Sequence, residues 1–204
     1  MGYPLKKKAD RKYTWNDYLT WPDEERWEVI NGVAYDMSPS PTPRHQIITG
    51  NFFSILKDKL KGKRCRPLIA PLDVYFDDYN FVQPDVLVIC DEKKIKDRIY
   101  GAPDLVIEVL SPYTSLKDMR EKRALYEKFG VKEYIIVSPE NMFIERYSLL
   151  TPPLPPGEMI EVKGDVKKFK EPDILGSNEV ITLSSLEGIE IQLWEVFEVE
   201  PPDV

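Results

Sequence analysis

The chain has 204 residues, 42% of them hydrophobic, which is enough for one sizeable core and too apolar for a disordered polymer. A formal net charge of −7 argues against a protein that coats nucleic acid with its whole surface. No run approaches the ~18 apolar residues of a membrane-spanning helix, and the basic start MGYPLKKKADRKYTW has neither the apolar stretch of a secretory signal nor a myristoylation pattern.

Two cysteines, Cys65 and Cys90, suggest neither a disulfide framework nor a zinc site, and a cytoplasmic protein without a membrane partner is the default expectation. Charge is unevenly spread. KDKLKGKRCR (57–66) holds six basic residues and one acid, whereas Glu187 to Val204 holds six acids and no base. The basic run reads either as a solvated helix end or as a local strip for phosphates.

In chain order, Thr14 is placed to cap a short helix in WNDYLTW. RWEVINGVAYDMS reads as a hairpin around Asn31-Gly32, a type I′ signal. A proline-rich loop leads into a helix from Pro43 to Leu60 with an apolar stripe at Ile48, Phe52, Ile55, Leu56 and Leu60. RPLIAPLDVYF reads as a strand, DDYN as a turn, PDVLVIC as a second strand and DLVIEVLS as a third. TSLKDMREKRALYEKFG reads as a helix capped by Thr114 or Ser115 and ended by Gly130. VKEYIIVSP and MFIERYSLL read as two strands about a turn at 139–141. Hairpin, helix, three strands, helix, two strands make an α/β (α+β) domain with a mixed central sheet flanked by helices. The core domain is expected over 14–150. Residues 151–204 are expected as an extension packed on it, with short strands at MIEVKG and EVITL. Its last segment, IQLWEVFE, fits helix or strand, with Trp194 and Phe197 packed or joining two copies in a homodimer.

The chemistry sits in 81–112. Side chains alternate along a strand, so Asp104, Val106, Glu108 and Leu110 share one face. Glu108 falls mid-strand, where an ionised carboxylate costs several kcal/mol unless it is paired or metal-bound. Asp85 opens an otherwise apolar run. Acids on adjacent strands repel, and a hard divalent cation removes the repulsion. The plainer alternatives are strand-entry turns for Asp85 and Asp104, each of which follows a proline, and a salt bridge to an arginine for Glu108. In the helix beyond, Asp118, Lys122, Leu125, Tyr126 and Phe129 make the inward stripe. Lys122 either snorkels to solvent or points at the carboxylates.

QPDVLV (83–88), GAPDLVIEVLSP (101–112), KDMREKRALYEKFGVKEYIIV (117–137) and RWEVINGVAYDMSPSPTPRHQ (26–46) resemble the Uma-two family of predicted endonucleases over roughly 14–150. The resemblance implies the restriction-endonuclease-like fold, whose active-site pattern is written PD-(D/E)XK. It implies Asp85 and Glu108 as ligands of Mg²⁺ or Mn²⁺. Where the pattern has lysine two positions beyond the second acid, this chain has Leu110, and Lys122 of the following helix matches the displaced lysine. Glu28 and His45 match further family positions. Glu28 reads as a further metal ligand or an exposed strand residue, and His45 as a proton-transfer or supporting group or a core histidine. Asp73 is a weaker candidate.

The expected activity is metal-dependent hydrolysis of nucleic-acid phosphodiesters, with DNA as the partner and Asp85, Glu108, Lys122, Glu28 and His45 carrying the site. Lys57, Lys61, Lys63, Lys93, Lys94 and Arg98 are the basic residues available for backbone contacts. The alternative is a non-catalytic nucleic-acid- or protein-binding module on the same fold, which Leu110 and the acidic charge favour.

Overall fold

Local signals set most of the elements. In the computed structural model, which describes residues 11–22, 24–37, 40–111, 117–150 and 167–203, Thr14 caps α1 (Trp15–Tyr18). Its hydroxyl accepts from the Asp17 amide, and the Asp17 carboxylate accepts from the Thr14 amide. β1 (Trp27–Ile30) and β2 (Val33–Asp36) form the hairpin, with Asn31 and Gly32 at φ 52° and 79° as a type I′ turn requires. Thr42 caps α2 (Pro43–Lys59), and Ile48, Phe52, Leu56 and Leu60 form its buried stripe. Ile55 is only partly buried.

RPLIAPLDVYF is not one strand. It divides into β3 (Arg66–Ile69) and β4 (Val74–Asp77), which join different sheets. Pro71 lies in the break, where the missing N–H would interrupt a ladder. β5 (Asn80–Val82) returns against β4, followed by β6 (Val86–Ile89), the two-residue β7 (Ile99–Tyr100) and β8 (Leu105–Val109). A π-helical turn, Asp118–Lys122, runs directly into α3 (Arg123–Phe129), which Gly130 ends at φ 86°. The expected caps Thr114 and Ser115 lie outside the described residues, as does MIEVKG. β9 (Glu133–Ser138) and β10 (Phe143–Ser148) follow. After them come β11 (Asp173–Gly176), β12 (Val180–Leu183) and β13 (Ile189–Gln192). IQLWEVFE is both strand and helix: β13 runs into α4 (Leu193–Phe197).

The single central sheet expected from the sequence is two sheets. One has the order β2-β1-β5-β4-β7 and the other β11-β10-β9-β8-β6-β3, with β12-β13 as a separate hairpin. In the six-stranded sheet β6 and β8 are antiparallel, and β8 and β9 are parallel across the helical connection. Alternation then sorts the side chains. Val86, Val88, Leu105, Ile107, Val109, Ile135 and Val137 pack against α2, α4 and the β12-β13 hairpin. Leu87, Ile89, Val106, Tyr134 and Ile136 face α3 and the five-stranded sheet. A third cluster, around Trp15, Val29, Ala34 and Phe81, covers the outer side of the small sheet.

Several polar contacts fasten the C-terminal segment. The buried Glu133 carboxylate accepts from the amides and hydroxyls of Ser184 and Ser185, and Arg44 donates to the Phe197 carbonyl at 2.8 Å. Phe197 is wholly inside the chain's own core, which removes it from any contact between copies, and Trp194 is partly exposed.

The reading of the cysteines is corrected as well: Cys65 and Cys90 are disulfide-bonded. The β3–β6 ladder pairs Arg66 with Ile89, so the next positions outward, 65 and 90, face each other. Their spacing in sequence carried no sign of that register.

Gly32 has a second reason to be glycine, since a Cβ there would meet Lys12 Cβ at 2.6 Å. Gly32→Ala is expected to lower stability by about 1–2 kcal/mol, through its left-handed backbone and this clash, as read by urea unfolding.

Candidate functional site

The β6–β8 ladder pairs Val86 with Ile107, so the next pair outward is Asp85 opposite Glu108. Directly opposed residues share a face, and both carboxylates line one cavity of about 510 Å³ at the end of the sheet. Asp85 is held across the strands, because its Oδ2 accepts from the Val109 amide at 2.8 Å. His45, in the first turn of α2, brings Nε2 to 3.3 Å from the same oxygen. The Thr49 hydroxyl donates to the His45 carbonyl at 2.8 Å and lies 3.4 Å from Nδ1. Burial alone would lower the basicity of His45. The hydrogen bond and charge of Asp85 prevail and raise its pKa above the ordinary histidine value.

Glu108 is buried on the α3 side of the sheet, and its Oε1 accepts from Lys122 Nζ at 2.8 Å and from the Tyr126 hydroxyl at 2.7 Å. The same ammonium lies 2.7 Å from Glu28 Oε1 and 3.6 Å from Asp118 Oδ1. Glu28 comes from β1 in the other sheet. Its Oε2 is paired with Lys117, and its Oε1 also accepts from the Gln83 amide at 2.9 Å. Lys122 therefore does not snorkel to solvent, and Glu28 is fully buried rather than an exposed strand residue.

The π turn explains how Lys117 joins Lys122. In a regular α-helix, positions five apart point about 140° away from each other. Widening the turn to i→i+5 bonding brings 117, 118 and 122 to one side, and the Tyr134 hydroxyl donates to the Asp118 carbonyl at 3.0 Å within it.

The electrostatics follow from burial and neighbours. Burial disfavours the Glu28 anion, but Lys117 and Lys122 outweigh it and hold its pKa down to about 2. Glu108 moves the other way, up to about 8. Burial dominates there, and the charges of Asp118, Asp85 and Glu28 add to it against Lys122. Burial pulls Lys122 down, yet Glu108, Glu28 and Asp118 together keep it protonated well above its usual range.

The remaining candidates separate from this cluster. Asp104 accepts from the Cys90 amide at 2.7 Å and pairs with Lys132, as a strand-entry residue does. Asp73 does not line the cavity. It accepts from Gln83 Nε2 at 2.8 Å, and the Gln83 oxygen accepts from Arg26 at 2.6 Å. The basic run begins in the last turn of α2, roughly 20 Å along the helix from His45. None of Lys57, Lys61, Lys63, Lys93, Lys94 or Arg98 lines the cavity; Arg98 stacks on Trp15, and Lys94 donates to the Ala102 carbonyl. Among the described residues, the lysine and arginine side chains that line it are Arg26, Lys117 and Lys122. Sequence reasoning missed Lys117, Arg26 and Gln83. The regular helical period pointed Lys117 elsewhere, and the other two had no signal.

Asp85 and Glu108 offer hard oxygen donors in an open cavity. Among the described residues no group of three or more His, Cys, Asp and Glu side chains converges as a ligand cage. Two carboxylates, with further positions left to water and substrate oxygens, suit Mg²⁺ or Mn²⁺ and not a closed structural site.

Glu28→Ala leaves Lys117 and Lys122 with less counter-charge, and a stability loss of about 3–5 kcal/mol is expected in urea titrations. The depressed Glu28 pKa contributes stability that is present above 4.5 and lost as pH falls toward about 2. Stability against pH, measured for the wild type and for Glu28→Gln, should therefore converge over that interval.

Three comparisons bear on this chain. A 1.96 Å crystal structure from Anabaena variabilis, described as "a putative nuclease belonging to DUF820", superposes with a TM-score of 0.70 at 20% identity, covering 91% of this chain and 97% of that one, and so shares its fold. A Synechocystis protein, "Uncharacterized protein slr1290", is 29% identical over 136 residues, 64% of this chain and 71% of its own length. The Uma2 family model, described as "Putative restriction endonuclease", matches residues 15–190. With its mixed α+β architecture, the chain has the restriction-endonuclease-like fold and belongs to the Uma2 family.

Proposed function

We propose that the cavity is the active centre of a nuclease that hydrolyses nucleic-acid phosphodiesters with one or more divalent cations. The observation that carries this reading is the opposition of Asp85 and Glu108 across β6–β8, with Lys122 2.8 Å from Glu108 in the same cavity. Membership of a family described as restriction endonucleases supports it.

Asp85 and Glu108 would hold Mg²⁺ or Mn²⁺; when bound, the ion supplies a water of lowered pKa and neutralises phosphate charge. The chain's own groups do the rest. Lys122 orients the attacking water and stabilises charge developing on the phosphate oxygens. His45, hydrogen-bonded to Asp85, keeps that carboxylate in place and is a proton donor beside it. Arg26 at the cavity wall is held by the neutral oxygen of Gln83 rather than by a carboxylate, so its charge is available to a phosphate. The binding-module alternative drew on Leu110, but the helix brings an ammonium to Glu108 in spite of it.

Asp85→Ala and Glu108→Ala are each expected to reduce Mg²⁺-dependent cleavage of plasmid DNA to background while circular dichroism stays that of the wild type. Cleavage retained by either purified variant rejects the assignment.

A further inference from the structure

Glu28 differs from the other carboxylates around the site. Asp85, Glu108 and Asp118 line the cavity and Glu28 does not, although Lys117 and Lys122, its two partners, do. Both of its oxygens are engaged: Oε1 by Lys122 and the Gln83 amide, and Oε2 by Lys117. No oxygen of Glu28 is directed at the open space in which Asp85 and Glu108 meet.

The charge count is informative. A buried carboxylate needs one ammonium for neutrality, and this one has two. The unit Lys117–Glu28–Lys122 thus presents one surplus positive charge to the cavity. Facing it are the three carboxylates of Asp85, Glu108 and Asp118. His45 stands among them, its Nε2 3.3 Å from Asp85. A rim guanidinium, Arg26, remains to match one phosphodiester charge.

We propose that Glu28 is a positioning residue and not a cation ligand. It holds Lys122 in the cavity with Lys117 as its counter-charge, and leaves cation binding to carboxylates that line the cavity, Asp85 and Glu108. This rests on the nuclease reading of the site. When the oxygens of Glu108 turn to an ion, Lys122 keeps Glu28 at 2.7 Å and Asp118 at 3.6 Å as its partners. Its ammonium therefore stays at the reaction site without the Glu108 contact. Lys117 matters because it neutralises Glu28 and so leaves the charge of Lys122 directed at the cavity.

The test is an Mn²⁺ titration by calorimetry, with free Mn²⁺ followed by electron paramagnetic resonance. The proteins are the wild type, Asp85→Asn, Glu28→Gln and the double variant Glu28→Gln/Lys117→Met. The double variant removes both partners of a buried pair and keeps the volume, so it stays folded where Glu28→Gln fails. Binding is expected for the wild type, none for Asp85→Asn, and the wild-type stoichiometry for the Glu28 variants with Kd within about tenfold of the wild type. Steady-state cleavage of a fluorescent oligonucleotide gives the second readout. In the double variant kcat should fall about 100-fold at nearly unchanged KM, while Tm remains close to the wild type. Loss of the ion in the Glu28 variants, or a wild-type kcat in the double variant, overturns the proposal. A wild-type chain that binds no Mn²⁺ and cleaves nothing overturns the nuclease reading itself, a different pattern from any of these.

Discussion

The arrangement of this protein turns on one buried carboxylate shared by two buried ammonium groups. Glu28 belongs to one sheet, and Lys117 and Lys122 belong to the helical connection that leaves the other. Charges removed from water are tolerated only when partners and hydrogen bonds are complete. Glu28 therefore fixes the hairpin, the π turn and the strand of Glu108 relative to one another. A slip of the hairpin by one residue would turn Glu28 to the aromatic side of the small sheet and leave both lysines under-compensated.

Around that constraint the fold divides its labour by face. One side of the six-stranded sheet is apolar apart from the buried Glu133 carboxylate and closes on α2 and the C-terminal hairpin and helix. The other side is apolar in the middle, where Tyr126, Tyr134 and Val106 pack, and polar at one end, where Asp85 and Glu108 emerge. A rigid strand pair thus carries the two acids in fixed opposition, and a helix brings the ammonium. The low-dielectric wall strengthens every charge interaction at that end of the sheet, so small displacements of these groups have large effects.

Much of this was legible in the sequence for local reasons. The Asn31-Gly32 turn, the Thr14 cap and the stripe on α2 each follow from the chemistry of a few adjacent residues. So does the stop at Gly130. The strangeness of Glu108 in an apolar run was visible for the same reason, and the alternation that puts it on the face of Val106 holds in the structure. Other features depended on partners distant in sequence. RPLIAPLDVYF split because its halves pair with different strands. Cys65 met Cys90 because of a ladder register, and Lys117 turned inward because the helix opens by one residue at that point.

By itself, then, the sequence determined most of the elements and their order, the family and the anomalous acids, because each is written in short-range pattern. Only the tertiary structure decided which charges meet. It took Glu28 from an apparent strand surface to the centre of a lysine pair, dismissed Asp73 and Asp104 to structural hydrogen bonds, and set the basic run far from the cavity. Those outcomes depend on how two sheets and a helix pack, and burial turns on elements brought together from opposite ends of the chain.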